Sequence, residues 1–368
     1  MSYRTDTFLI SMAGPADLSG LVSLIDTGAL DARHIVAILA KTEGNGGVND
    51  FTREYTSATI AQILAKHLGV TPEEVGHRIA IVVSGGTEGI LSPHATIFAR
   101  VPAGEIVAAE RTDARKRLAI GIAATRDFLP HEIGRAAQID ATADAVKAAM
   151  LNAGITGADD VHWVQVKCPL LTAERVRAAR RDGHEPVTES AYKSMAYSRG
   201  ASALGVAVAL GEITIPIADE AVLLDWSLSS GVASASAGIE LLNNIVIVLG
   251  NSAEASGDSI ISHAVMQDAI DSAAVWQAMG HADEAAKPVD PSRIIHVLAK
   301  ADPSPDGMLR GWRHIMLDDT DISATRHARA AVGGVIAGIT GCPAAFVSGG
   351  AEHQGPPGGG PVAVILRV

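Results

Sequence analysis

The sequence predicts an α/β fold built from three related strand–helix–strand units arranged around one axis. Three observations predict it. A short Val/Ile-rich run ends at a lysine three times, in HIVAILA-Lys41, VHWVQV-Lys167 and RIIHVLA-Lys300. Each lysine is followed by a hydroxyl–arginine pair that opens an Ala-rich stretch: Thr52-Arg53, Ser198-Arg199 and Thr325-Arg326. Each stretch is followed by Ser-(Gly/Ala)-Gly-x-Glu, at Ser84–Glu88, Ser236–Glu240 and Ser348–Glu352. One such match is a common turn or strand end. The same three elements in the same order three times point to a repeat, with a period far longer than a solenoid unit.

The lysine-terminated runs are too short for helices and rich in β-branched residues, so they are predicted as buried strands. The stretches EYTSATIAQILAKHL, GASALGVAVALGE and HARAAVGGVIAGI are predicted as helices, with the preceding hydroxyls as N-caps. Strands run straight into Ser84 (RIAIVV) and Ser348 (AAFV), and the middle copy lies in the Ser-rich stretch SLSSGVASASAG. Unit boundaries are expected near ERTDARKR, NSAEASGD and HADEAAKPVDPS, giving units 1–104, 112–250 and 256–368.

Composition narrows the function classes. With 48% apolar and 19% charged residues, a chain of 368 residues can bury a large core and is expected to be soluble. A formal net charge of −12 argues against a nucleic-acid partner, which needs a basic surface. No uncharged apolar run reaches the roughly 18 residues of a membrane span, and residues 1–14 lack the apolar core of a signal peptide. The two cysteines, Cys168 and Cys342, do not form a disulfide framework, which fits a cytoplasmic protein.

Polar residues at the ends of buried strands tend to face a shared cleft. Here Lys41, Lys167, Lys300, Ser84, Ser236 and Ser348, with an arginine from each helix, would form three similar walls. Serine needs a base to become a nucleophile, and a desolvated lysine supplies one. Gly85 and Gly349, after their serines, leave backbone N–H groups accessible to carbonyl oxygens, and arginine adds a fixed donor fork. The set suits acyl chemistry on a molecule with several carbonyls. Glu43 follows Lys41 by two residues and Asp302 follows Lys300 by two, on the same strand face, where a carboxylate favours the ammonium. Lys167 is followed by Cys168-Pro169. That selects Lys167 as base and Ser236 as nucleophile, with Ser234 as the neighbouring alternative.

Cys168 alternates with Lys167 along the strand and is expected in the core. The 13 histidines show no HExxH spacing. The absence of Walker A and dinucleotide fingerprints predicts no organic cofactor. The turn-rich segment Ala351–Pro361 exposes many carbonyls and, with Asp302, is a candidate site for a hard cation such as Mg²⁺ or Ca²⁺.

The segments KTEGNGGVNDFTR (41–53), SGGTEGILSPH (84–94), VKCPLLTAERV (166–176), YSRGASALGVAVALGE (197–212), ASAGIELLNN (235–244), MLDDTDISATRHARA (316–330) and VSGGAEHQGPPGGGPVAVI (347–365) resemble the cyanuric acid hydrolase/barbiturase family over nearly the whole chain. The resemblance implies a pseudo-three-fold fold with a central β-barrel surrounded by helices. It implies ring opening of cyanuric acid to carboxybiuret, which loses CO₂ to give biuret, with the active Ser-Lys pair in the middle unit. It maps substrate contacts onto Arg53, Ser84, Gly85, Arg199, Ser236, Ala237, Arg326, Ser348 and Gly349, with Lys41 and Lys300 beside them. It maps a structural metal onto Asp302, Ala351, Gln354, Gly355, Pro356 and Gly359; many relatives carry Glu in place of Asp302. It also implies a homotetramer. Barbiturase activity, opening a pyrimidinetrione, is the alternative enzyme; a non-catalytic binder of cyclic imides is the alternative outside catalysis.

Overall fold

The computed structural model describes residues 3–105, 115–214, 216–280 and 290–368. Residues 110–114 and 281–289, which carry two of the expected unit boundaries, lie outside them.

The elements recur in nearly the same order three times. The first third holds β1 (Tyr3–Ser11), α1 (Ser19–Asp26), β2 (Ile35–Thr42), α2 (Phe51–Leu68), α3 (Pro72–Arg78), β3 (Ala80–Gly85) and β4 (His94–Pro102). The second holds β5 (Arg117–Ala124), α4 (Ala136–Asn152), β6 (Val161–Pro169), α5 (Ala173–Arg181), α6 (Ala191–Leu210), β7 (Ala233–Gly238) and β8 (Ile245–Ser252). The third opens with β9 (Ala255–Ser256), β10 (Ser259–Met266), α7 (Ser272–Ala278) and β11 (Ile294–Ala301). It continues through the ribbon β12 (Met308–Leu309) and β13 (Trp312–Arg313) to α8 (Ala324–Thr340), β14 (Phe346–Gly349) and β15 (Gly360–Arg367). The three lysine-terminated runs are strands β2, β6 and β11, as predicted. Each third also carries a strand and helix before the lysine strand and a strand after the serine strand, which the three-element reading did not contain.

The predicted N-caps are displaced. Asp50 caps α2 through Thr52 N, and Ser190 caps α6 through Lys193 N, while Ser323 holds the N-cap position of α8. Thr52, Ser198 and Thr325 therefore lie inside their helices. Ser198 is fully buried and accepts from Gln138 Nε2 at 2.9 Å, so its hydroxyl satisfies a core amide instead of a helix end. All three helices stop at a left-handed glycine, Gly69, Gly211 and Gly341.

The strands form three main sheets, ordered β3-β2-β4-β1-β9, β5-β8-β6-β7 and β10-β15-β11-β14, plus the two-stranded ribbon. No ladder closes them into one barrel among the described residues, which corrects the barrel expectation. The reason lies in the serine strands. β3, β7 and β14 each pair on one side only, in parallel with the lysine strand of their own sheet. On the open edges, side chains take the place of a neighbouring strand: Lys167 Nζ donates to Val83 O at 2.9 Å, and Lys300 Nζ to Ala235 O at 2.9 Å. Within the expected boundary segment NSAEASGD, β9 pairs with β1 at Tyr3 and Arg4.

Each sheet buries one face against helices of its own third, as Ile38, Ile60 and Leu64 do in the first. The other faces pack on one another. Leu39, Val82 and Phe98 meet Ile120, Trp163 and Leu249, and Leu298, Phe346 and Ile365 complete the cluster. A continuous core of three sheets fixes the strand ends, and with them the lysines and serines, relative to one another. Among the described residues no helix is long and apolar enough to cross a membrane.

Candidate active site

The parallel ladders set each lysine opposite one serine: Lys41 beside Ser84, Lys167 beside Ser236 and Lys300 beside Ser348. All six side chains are buried. The three pairs are not alike in contact. Lys41 Nζ donates to Ser84 Oγ at 3.2 Å and to Gly85 O at 3.1 Å. Lys300 Nζ donates to Ser348 Oγ at 3.2 Å and to Gly349 O at 3.2 Å. Lys167 Nζ lies 3.2 Å from a carboxylate oxygen of Glu240, and the buried Ser236 Oγ has no hydrogen-bond partner.

These serine ends enclose a small cavity of about 20 Å³. Ser84-Gly85, Ser236-Ala237 and Ser348-Gly349 line it, together with Arg53, Arg199 and Arg329. Lys167 is the one site lysine in its wall; Lys41 and Lys300 lie behind their serines and do not line it. Gly46, Met195, Arg199, Arg329 and Gly349 also border an outer cavity of about 690 Å³.

Arg326 was expected in the wall, and the structure corrects that. Its side chain is 42% exposed on the first turn of α8, where it pairs with Glu88 and borders only the outer cavity. Arg329, one turn further in, is the buried arginine that reaches the inner cavity. Arg326 stands third in α8 as Arg53 does in α2, whereas Arg199 lies near the middle of α6, so the place of the hydroxyl–arginine pair along its helix does not by itself decide which arginine reaches the cavity.

The glutamates of the Ser-x-Gly-x-Glu segments, given no role from sequence, organise the arginines. Arg329 makes two hydrogen bonds to Glu88, at 2.7 and 2.5 Å, and Arg199 makes two to Glu352, at 2.7 and 2.6 Å. Both pairs join different thirds of the chain and lie over glycine. A Cβ on Gly86 (φ 104°) would sit 2.5 Å from the Arg329 guanidinium, and one on Gly350 (φ 78°) 2.6 Å from that of Arg199. Glycine is needed twice over, for the backbone conformation and for the close approach. Arg53 departs from this pattern. It donates to Gly47 O at 2.8 Å and Ala237 O at 3.4 Å, and its buried Nε has no partner.

Burial lowers all three lysine pKa values. Lys41 falls well below its ordinary value, Arg329 adding to the effect of burial, and Lys300 falls to about 7, with Arg199 adding. Lys167 is lowered by burial, opposed mainly by the Glu240 charge. The sequence argument for Lys167, that it lacks a carboxylate neighbour, is therefore overturned: Glu240 arrives from the adjacent serine segment. What distinguishes Lys167 is its place in the cavity wall beside an unpartnered serine.

Of the residues mapped to a metal, Asp302 is half-buried and its Oδ2 accepts from Ala351 N at 3.2 Å. Burial, reinforced by the charge of Glu352, pushes its carboxyl up to about 7. Gln354 is committed within the protein, accepting from Ala235 N at 2.7 Å and donating to Gly350 O and Glu352 O. Pro356 O accepts from Gly359 N, and Ala351 O from Gln354 N, while Gly355 adopts φ 85°. No group of three or more His, Cys, Asp or Glu among the described residues is placed to hold a metal. The chemistry that fits is one carboxylate with backbone carbonyls around a hard cation, which would relieve the charge burial at Asp302.

Residues 7–367 match the family described as amidohydrolase ring-opening protein. The chain is 60% identical to a cyanuric acid amidohydrolase of Bradyrhizobium diazoefficiens, covering 98% of this chain and 97% of that one. It is 56% identical to a cyanuric acid amidohydrolase of Pseudomonas sp. strain ADP, covering 99% of each. A cyclic amide hydrolase of Azorhizobium caulinodans is 49% identical over 97% of this chain and 98% of its own. A solved cyanuric acid hydrolase, described as an innovation by structural concatenation, superposes with a TM-score of 0.94 at 55% identity over the whole of both chains. The solved A. caulinodans cyanuric acid hydrolase superposes with a TM-score of 0.88 at 47% identity, covering 99% of each.

Proposed function

The chain belongs to the ring-opening amidohydrolase family, and from that membership we propose that it hydrolyses cyanuric acid to carboxybiuret, which loses CO₂ to give biuret. The observation that carries this reading is the inner cavity, in which three serine corners and three arginines surround one small space. A ring with three equivalent carbonyls presents one acceptor to each wall. Barbituric acid, with a methylene in place of one ring nitrogen, uses the same walls less evenly and is the runner-up substrate.

Lys167 and Ser236 are the proposed reacting pair. The neutral amine of Lys167 takes the Ser236 Oγ proton, and the oxygen attacks a ring carbonyl carbon. Arg53, Arg199 and Arg329 hold carbonyl oxygens and stabilise the charge that develops on the one attacked. Collapse breaks the ring C–N bond, and the Lys167 proton passes to the departing nitrogen. Water then cleaves the acyl–Ser236 ester with Lys167 again as base, releasing the opened carbamate. Two features support this pair: Lys167 is the site lysine in the cavity wall, and Ser236 is the site serine whose hydroxyl is uncommitted. A hard cation at Asp302 and the 351–359 carbonyls would be structural, keeping Asp302 ionised behind Glu352 and Arg199.

The same membership supports reading residues 1–104, 112–250 and 256–368 as three units about a pseudo-three-fold axis, in a cytoplasmic homotetramer without an organic cofactor. Turnover assays of the purified chain test the proposal. A higher kcat/KM for cyanuric than for barbituric acid is expected; the reverse order assigns barbiturase activity, and no turnover of either leaves a binder of cyclic imides.

A further inference from the structure

Two of the three Ser-x-Gly-x-Glu carboxylates hold an arginine from another third of the chain, and the third does not. Glu88 holds Arg329 and Glu352 holds Arg199. By the same placement Glu240 would hold Arg53. Its carboxylate instead lies over Gly238, within 2.4 Å of where a Cβ would stand, and pairs with Lys167 at 3.2 Å. Arg53 is close enough to act electrostatically on Glu240, yet it spends its hydrogen bonds on the carbonyls of Gly47 and Ala237 and leaves its buried Nε unpartnered. Lys167, drawn to Glu240 and to Val83 O, is the one site lysine that does not bond the serine beside it.

We propose that Glu240 is a positioning residue that alternates between two cations. Paired with Lys167, it holds the amine as an ammonium away from Ser236. Paired with Arg53, it completes a third buried Arg–Glu pair and releases the amine toward Ser236. The inference rests on the proposed Ser236–Lys167 chemistry and adds a gate to it. Gly238 leaves room for the carboxylate beside the strand. The unpartnered Nε of Arg53 gives the second position a waiting donor. Substrate supplies the bias, because a carbonyl oxygen placed near Arg53 competes for the bonds now made to Gly47 and Ala237.

The groups facing Lys167 are Glu240 after β7, Arg53 from α2 and Cys168 on its own strand. Of these, Glu240 is the group that most opposes burial and Arg53. In Glu240→Gln the acid limb of kcat/KM should therefore move to lower pH, by about one unit or more, while kcat on the plateau falls about tenfold because the amine is no longer guided. Glu240→Asp keeps the charge but shortens the reach; its limb should return toward the wild-type position while kcat stays low. A limb that stays in place or moves up in Glu240→Gln overturns the gate, since loss of a merely structural contact lowers kcat without moving it. Should that variant fold poorly, wild-type crystals soaked with barbituric acid give the same answer. A Glu240–Arg53 pair and a Lys167–Ser236 hydrogen bond are expected, and an unchanged Glu240–Lys167 pair overturns the inference. Ser236→Ala, measured alongside, separates the two failures. If it retains turnover, the Ser-Lys reading itself fails; if it is inactive while the Glu240→Gln limb is unmoved, only the gate fails.

Discussion

Lys300, at the end of β11, donates from Nζ to the backbone carbonyl of Ala235, the residue before Ser236 in another sheet. Lys167 does the same for Val83, the residue before Ser84. A lysine of one sheet thus fixes the serine strand of the next. Lys300→Met should lower kcat although Lys300 does not line the inner cavity, because the strand carrying Ser236 keeps only the Gln354 bond at Ala235 and loses the one to its carbonyl. A wild-type kcat in Lys300→Met would refute the tether.

The same lysine predicts a pH dependence of stability. Burial lowers its pKa from 10.5 to about 7 in the folded protein. Between these values the unfolded chain binds the proton and the folded one does not, so the contribution of Lys300 to stability rises with pH from about 7 toward 10.5. The penalty is fully present below that window. Lys300→Met lacks this dependence. Its melting temperature relative to wild type should be most favourable near pH 7 and should decline as the pH is raised toward 10. A difference that is constant with pH would show that Lys300 keeps its proton when folded.

Ser236→Ala should reduce kcat by about 10⁴-fold or more, the scale of losing an acylation nucleophile. Ser84→Ala should chiefly raise KM. The Lys41–Ser84 contact at 3.2 Å makes these two the decisive comparison. If Ser84→Ala abolishes turnover and Ser236→Ala does not, the reacting pair lies in the first third of the chain.

Arg329 and Arg326 both contact Glu88 and should behave differently. Removing the buried Arg329 side chain leaves Glu88 without its bidentate partner, which costs about 3–5 kcal/mol for a buried pair. Arg329→Ala should therefore lower the melting temperature and raise KM. Arg326→Ala, on the exposed rim, should do little to either. Equal effects in chemical denaturation and in KM would contradict the assignment of Arg329 to the inner wall.

The lysine strands and the serine strands β3 and β14 were legible because each is a short apolar run with a polar end, a local signal that survives without tertiary context, whereas β7 (ASASAG) has no β-branched residue and was marked only by its match to the other two copies. Their mutual register was not visible, but the order Lys, helix, Ser in three copies already implied that they meet. Arg329 was not legible. Helix periodicity puts Arg326 and Arg329 on nearby faces, and only the start of α8 and its packing decide which is buried. The role of Glu240 was hidden for a different reason. Glu43 and Asp302 follow their lysines along the same strand and are visible in sequence, whereas the contact to Lys167 comes across a ladder from the segment after Ser236. The missing barrel closure has the same origin, since side-chain donors on the free edges of β3 and β7 replace strand pairing and leave no trace in hydrophobic periodicity.

Asp302 is half-buried beside Glu352, and desolvation together with the Glu352 charge raises its carboxyl to about 7. A hard cation held by Asp302 and the carbonyls of the 351–359 loop must displace that proton, so affinity should fall as the pH drops below about 7 and level off above it. Mg²⁺ or Ca²⁺ should raise the melting temperature of chelator-treated protein at pH 8 and do so less at pH 6. Asp302→Asn keeps the shape and removes the charge, and should abolish the metal-dependent increment at both. Because Glu352 holds Arg199 in the cavity wall, metal removal should weaken substrate binding, seen in KM, more than it slows the chemical step. A melting temperature and KM unchanged by exhaustive chelation, with no metal found by elemental analysis, would mean that Asp302 is held neutral by its proton and that the loop needs no ion.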